Sequence, residues 1–235
     1  MSNDGTLTLG VLGGMGPAAT LEFLARLQGY TPAQKDQDHI HVLADINPKA
    51  PDRNIPGSGA GAALAQMANG LRVAGAEVLA MPCNTAHAHT DLIQRASGLP
   101  LVDMIDLGAE AAAQAGAARA GVLGTRGALR LYREYLAARA MGMVSLPPER
   151  QEAFMVTLHR IKAGEMSDDV AREMVSHAEA LRELGAEVLI AGCTEVPLVI
   201  DEEDVSLELI DPGDLLARRC VAVCLGWEPL PQVVA

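Results

Sequence analysis

The sequence predicts an α/β protein: two pseudo-symmetric, open parallel-sheet α/β lobes with the active site in the cleft between them. Three observations carry that prediction. Short apolar runs alternate along the chain with Ala-rich stretches of helical period, the pattern of a mostly parallel sheet covered on both faces. The segment Gly75-Ala76-Glu77-Val78-Leu79 recurs as Gly185-Ala186-Glu187-Val188-Leu189, and each copy leads into a cysteine, Cys83 or Cys193. Upstream, Leu9-Gly10-Val11-Leu12-Gly13 is echoed by Ala120-Gly121-Val122-Leu123-Gly124, and the separation from Val11 to Cys83 matches that from Val122 to Cys193 to within one position. A period of that length is too long for a solenoid and reads as duplication of a whole lobe.

Taken in order, the buried strands are read at Leu7 to Leu12, His41 to Ala44, Val78 to Met81, Ala120 to Leu123 and Val188 to Ala191. Helices are read at Ala18 to Gln28, Gly61 to Ala74, Thr85 to Ala96, Leu107 to Ala115, Ala128 to Ala140, Asp168 to Leu184 and Pro212 to Cys224. Between the second strand and the second helix, Asp45 to Gly59 is rich in Pro and Gly and reads as a long loop at the carboxyl end of the sheet, where substrate-binding segments collect. The lobes divide as 1–104 plus 213–235, carrying Cys83, and 105–212, carrying Cys193.

Composition narrows the function. The chain has 235 residues, a formal charge of −12 and scattered basic residues, so neither a nucleic-acid stripe nor a polybasic membrane patch is visible. A small anionic ligand stays open, because the potential inside a cleft is set by local Arg and Lys. No apolar run reaches the roughly 18 residues of a spanning helix, and Met1 to Thr6 lacks the basic start and apolar stretch of a signal peptide. The expectation is a cytoplasmic protein with no membrane or nucleic-acid partner, its four cysteines reduced.

Most buried cysteines are small hydrophobes, and Cys220 and Cys224, four apart on an apolar helix stripe, are read that way. Cys83 and Cys193 differ. Each lies just past a strand and before polar residues, Asn84-Thr85 and Thr194-Glu195, at a junction where backbone N–H groups favour a thiolate. Covalent catalysis needs one nucleophile, which leaves a matched second cysteine unexplained. A zinc site recruiting Cys83, His87 and His89 lacks a fourth convergent ligand and puts the two histidines on different faces, so no metal is expected. Two like groups suit the removal of a proton from one face of a carbon and its return to the other.

Gly13-Gly14-Met15-Gly16-Pro17 could be a dinucleotide loop, since Gly14 to Ala19 matches G-x-G-x-x-A, but no acidic residue closes a second strand at the right distance. The alternative is a turn whose N–H groups approach a carboxylate, with Pro17 opening the helix. Arg53, in the Pro-rich loop, is the better of two candidate cations because guanidinium binds carboxylate in bidentate fashion; Lys162 is the other.

Together, Gly13 to Thr20, Asn47-Pro48 through Arg53, Met81-Pro82-Cys83-Asn84-Thr85-Ala86-His87 and Ala191-Gly192-Cys193-Thr194-Glu195-Val196-Pro197 resemble the aspartate/glutamate racemase family, over nearly the whole chain and in order. Gly-Met-Gly-Pro with Gly-Cys-Thr-Glu resembles its aspartate racemase branch. The resemblance implies a homodimer and a two-base mechanism that needs no cofactor and no pyridoxal phosphate. It makes Cys83 and Cys193 the acid/base pair acting on a small anionic amino acid. It assigns Asn84, Thr85 and Thr194, with backbone at Met15 and Gly16, to the α-carboxylate, and has Arg53 and Lys162 meet the side-chain carboxylate or share the two carboxylates. Thr125 and Glu195 join the substrate-binding set. The implied reaction is interconversion of L- and D-aspartate, with glutamate also considered. The alternatives are a related two-cysteine enzyme, such as a hydantoin racemase or a dicarboxylate isomerase, and a non-catalytic amino-acid-binding protein.

Overall fold

The computed structural model describes residues 5–233; the N-terminal residues 1–4, on which part of the signal-peptide reading fell, lie outside that range. Within it the chain forms two compact units, one built from the N-terminal residues through Met104 together with the segment from Gly213 onward, the other from Ile105–Pro212.

The first unit holds three parallel strands, β1 (Leu9–Gly13), β2 (Val42–Ile46) and β3 (Val78–Ala80), in the order β2-β1-β3. Leu101 adds a parallel bridge beyond β3 through Leu79. Its helices are α1 (Pro17–Tyr30), α2 (Ala60–Ala74) and α3 (Thr90–Ser97). The second unit begins within α4 (Met104–Gln114) and orders its four parallel strands as β5 (Gly142–Val144), β4 (Arg119–Val122), β6 (Val188–Ile190) and β7 (Leu209–Ile210). Around them lie α5 (Arg126–Ala137), α6 (Pro148–Lys162) and α7 (Asp168–Glu183). α8 (Pro212–Cys224) closes the first unit, where Leu7 N–H donates to the Cys224 carbonyl at 2.9 Å.

The repeated pentapeptide is now explained residue by residue. Gly75 and Gly185 follow α2 and α7 at φ of 109° and 93°, the left-handed conformation that ends a helix cheaply only for glycine. The next amides, of Ala76 and Ala186, reach back to the carbonyls of Leu71 and Leu181 at 3.0 Å each. The methyl groups of Ala76 and Ala186 pack against Gly10 and Gly121, where an added Cβ would come within 2.8 Å of them. The carboxylates of Glu77 and Glu187 accept from the amides of Thr8 and Ala118 at the head of the neighbouring strand, at 2.8 and 2.7 Å. Val78-Leu79 and Val188-Leu189 are then strand. The repeat is a helix-to-strand corner used twice.

The structure adds three elements that the sequence reading did not name, β5, β7 and α6, and divides a fourth. The helix expected over Thr85 to Ala96 is a 3-10 turn at Asn84–His89 followed by α3. Side chains stabilise that tighter turn: His87 Nδ1 bonds the Cys83 carbonyl at 3.0 Å and Thr90 Oγ1 donates to the His87 carbonyl at 2.9 Å.

Candidate active site

In the first unit the candidate residues gather at the carboxyl ends of the strands, where ligands bind in open α/β sheets. Val11 pairs in register with Ala80, three residues before Cys83. Cys83 is buried with Met15, Ala50 and Ala86 in one apolar cluster, so the ends of β1 and β3 and the loop after β2 meet around it. Asn84 and Thr85 follow it and are buried.

The glycine turn after β1 is set by Thr20, whose hydroxyl accepts from Gly14 N–H and donates to the Gly16 carbonyl, both at 2.9 Å. Gly14 has φ of 91°, and an added Cβ there would come within 2.5 Å of the Asn47 backbone. The Gly14 amide is therefore spent on Thr20, and any anion contact from this turn falls to Met15 and Gly16. Pro17 opens α1.

Arg53 braces its own loop, donating from Nη1 to the carbonyls of Pro51 and Ala50 at 3.1 and 3.3 Å, while its Nε is buried without a hydrogen bond. His89, in the turn that follows Cys83, is held below the usual histidine range by burial and then by the charge of Arg53. The Arg53 loop thus lies over the Cys83 end of the sheet.

Both ring nitrogens of His87 are engaged within the first unit. His87 Nε2 accepts from Met104 N–H at 3.2 Å, so Nδ1 carries the proton that meets the Cys83 carbonyl. Among the described residues no group of three or more His, Cys, Asp or Glu side chains gathers as a metal site.

The second unit repeats this plan. Val122 pairs with Ile190, three residues before Cys193, which makes the two cysteines equivalent by strand register as well as by sequence. Thr125 ends the loop after β4 and caps α5, its hydroxyl accepting from Ala128 N–H at 3.4 Å. Cys193 is buried, and its thiol donates to Glu195 Oε2 at 2.9 Å. Thr194 Oγ1 reaches the same oxygen at 3.4 Å. The other carboxylate oxygen faces Lys162 Nζ at 3.7 Å. Sequence reading put Lys162, Thr194 and Glu195 in one list; the fold brings Lys162 and Thr194 to the Glu195 carboxylate that meets the Cys193 thiol.

Gln151 was missed. From α6 its Nε2 donates to the Gly124 carbonyl at 3.0 Å and fixes the loop that carries Thr125. Nothing in the sequence marks it, because one glutamine in a polar helix has no signature. Thr20 had a weak signal, a hydroxyl four residues after a glycine at a helix start.

A family model described as Asp/Glu/Hydantoin racemase matches residues 12–220. The chain belongs to the Asp/Glu/Hydantoin racemase family. It is an isomerase, an amino-acid racemase. This racemase is 25% identical over 228 residues to a broad-specificity amino-acid racemase of Bacillus subtilis, covering 94% of this chain and 99% of that one. The aspartate racemase of Picrophilus torridus has a similar structure, with a TM-score of 0.81 and 26% identity over 93% of this chain and 94% of that one. The glutamate racemase of Francisella tularensis, solved with D-glutamate, shares the fold at a TM-score of 0.70 and 20% identity, over 99% of this chain and 85% of that one. No helix among the described residues is long and apolar enough to cross a membrane.

Proposed function

We propose that this racemase interconverts L- and D-aspartate, with glutamate as a further candidate substrate, by proton transfer between Cys83 and Cys193 without pyridoxal phosphate. The observation that carries the reading is the register equivalence of the two cysteines, each three residues past a strand partner of the matching central strand. One thiolate takes the α-proton from one face of the carbon and the other thiol delivers its proton to the opposite face. The pair holds one proton before and after, and the roles reverse for the other enantiomer.

The α-proton of an amino acid is very weakly acidic, so charge developing on the α-carbon and its carboxylate has to be stabilised by fixed donors and cations in a water-poor site. Backbone at Met15 and Gly16, with Asn84, Thr85 and Thr194, would hold the α-carboxylate, and Thr125 would join the substrate-binding set. Arg53 and Lys162 supply positive charge for a second carboxylate, which favours a dicarboxylic amino acid over a neutral ring. The family resemblance also carries the expectation of a homodimer, checked by light scattering.

A second reading, racemisation of a wider range of amino acids, is favoured by the Bacillus subtilis relative, which this chain matches nearly end to end. One experiment separates them: incubation in D₂O with each enantiomer of aspartate, glutamate and a panel of neutral amino acids, following α-deuterium by NMR and enantiomer ratio by chiral chromatography. Racemisation confined to acidic substrates supports the first reading, and turnover of neutral ones the second. Cys83→Ala and Cys193→Ala are each expected to abolish racemisation while leaving α-hydrogen exchange with one enantiomer. Full activity in either variant refutes the two-base reading.

A further inference from the structure

The two thiols occupy equivalent places in their sheets, yet the side chain two residues on differs: Glu195 follows Cys193, while Thr85 follows Cys83. Glu195 is 2% exposed, accepts the Cys193 thiol at 2.9 Å and lies 3.7 Å from Lys162 Nζ. A carboxylate buried at this depth is costly to desolvate, and Lys162 Nζ stands beyond direct hydrogen-bond length from it. As a substrate ligand it would repel the anionic substrate expected here. In this contact the thiol is the donor and the carboxylate oxygen the acceptor, which keeps the proton on sulfur.

We propose that Glu195 is a positioning residue that sets the starting protonation state of the cysteine pair. Its carboxylate holds the proton on Cys193, and Cys83 therefore opens the reaction as the base. The assignment rests on the two-base reading, since a pair that carries one proton between two sulfurs leaves Cys83 as thiolate once Cys193 keeps it. When Cys193 gives its proton to the substrate, Lys162 offsets the charge that appears on sulfur beside Glu195. Glu195, from its own loop, faces this thiol through Oε2, and Lys162, from α6, faces the other oxygen of the same carboxylate. Because a racemase has an equilibrium constant of one, kcat/KM stays equal in the two directions and the built-in asymmetry shows in kcat and KM separately.

The test reads each cysteine in the intact protein. Cys83 and Cys193 are similarly buried, at 6% and 7% exposed, and each one's rate of reaction with iodoacetamide, resolved by peptide mass spectrometry, is followed in the parent protein and in the Glu195 variants. Cys83 is expected to react about tenfold faster than Cys193 at neutral pH. Glu195→Gln should raise the Cys193 rate several-fold and lower that of Cys83, since the two sulfurs share one proton, Glu195→Asp should restore part of the slow rate, and Lys162→Met should slow Cys193 further. Equal rates in the parent protein, or an unchanged Cys193 rate in Glu195→Gln, overturn the proposal. Thiolate ultraviolet absorbance of Cys83→Ala and Cys193→Ala gives a reagent-independent answer: the sulfur left in Cys193→Ala should ionise at lower pH, and the opposite order overturns the proposal. Cys220 and Cys224 stay silent, since burial pushes both thiols up, Cys224 to about 12. Failure of the two-base reading is recognised separately, as full racemisation by Cys83→Ala or Cys193→Ala while the thiol asymmetry of the parent protein persists.

Discussion

Thr20 shows how much of the site rests on single hydroxyls. It is fully buried and makes both of its bonds inside the turn after β1, to Gly14 N–H and the Gly16 carbonyl. Thr20→Val keeps the volume but orphans a buried amide, and it is expected to cost about 1–3 kcal/mol, seen as a fall in Tm of several degrees by differential scanning calorimetry. His87 does similar work for the Cys83 loop, where its ring joins the Cys83 carbonyl to Met104 N–H. His87→Leu takes this acceptor from the Met104 amide, while the Cys83 carbonyl keeps the Ala86 N–H at 3.2 Å, and it should lower Tm by a similar amount. His177 is a pH handle. Burial, then the charge of Arg150, holds it below the usual histidine range, while Glu173 pulls the other way. The unfolded chain therefore binds the proton more readily than the folded one, and stability is lost as pH falls below about 6.5 toward the depressed folded value. Thermal melts between pH 7.5 and 5.5 should show this slope, and His177→Leu should flatten it.

At the scale of elements, the corners that precede Cys83 and Cys193 are legible because their chemistry is local. A glycine that ends a helix, an alanine against a strand glycine and a glutamate on the next strand each impose one residue type at one position. Substituting the close-packed glycines should be costly: Gly121→Val would put its Cβ 2.8 Å from the Ala186 methyl with two leucines beside it, and a loss of soluble, folded protein is the expected outcome on expression and size-exclusion chromatography. α6 was illegible for the opposite reason. Its buried face alternates Gln151, Thr157 and aliphatic residues with Phe154, and the two polar ones break the apolar stripe that periodicity looks for. Gln151 is buried because it bonds the Gly124 carbonyl, a partner 27 positions away that no local pattern announces. β5 and β7 are too short, at three and two residues, to show an alternation.

At the scale of the molecule, the second unit is one uninterrupted segment, Ile105–Pro212, whereas the first is completed by the segment from Gly213 onward, after the chain has built the second. α8 contributes Leu216, Val221, Val223, Cys220 and Cys224, all 2% exposed or less. A fragment spanning 105–212 is expected to fold alone, with helical circular dichroism and a cooperative melt, while 1–104 without α8 exposes an apolar face and should aggregate. The sequence by itself determined the α/β class, the duplication and the two cysteines, because strand period, helix ends and glycine contacts are enforced by neighbours a few residues apart and were written twice. Only the tertiary structure decided which groups serve each thiol. Lys162 and Glu195 meet beside Cys193 because α6 ends over the loop after β6, and Thr20 and His87 are bound to particular amides. Such pairings are set by how helices lie on a sheet, where a side chain's partner is chosen by distance in space and not by position along the chain.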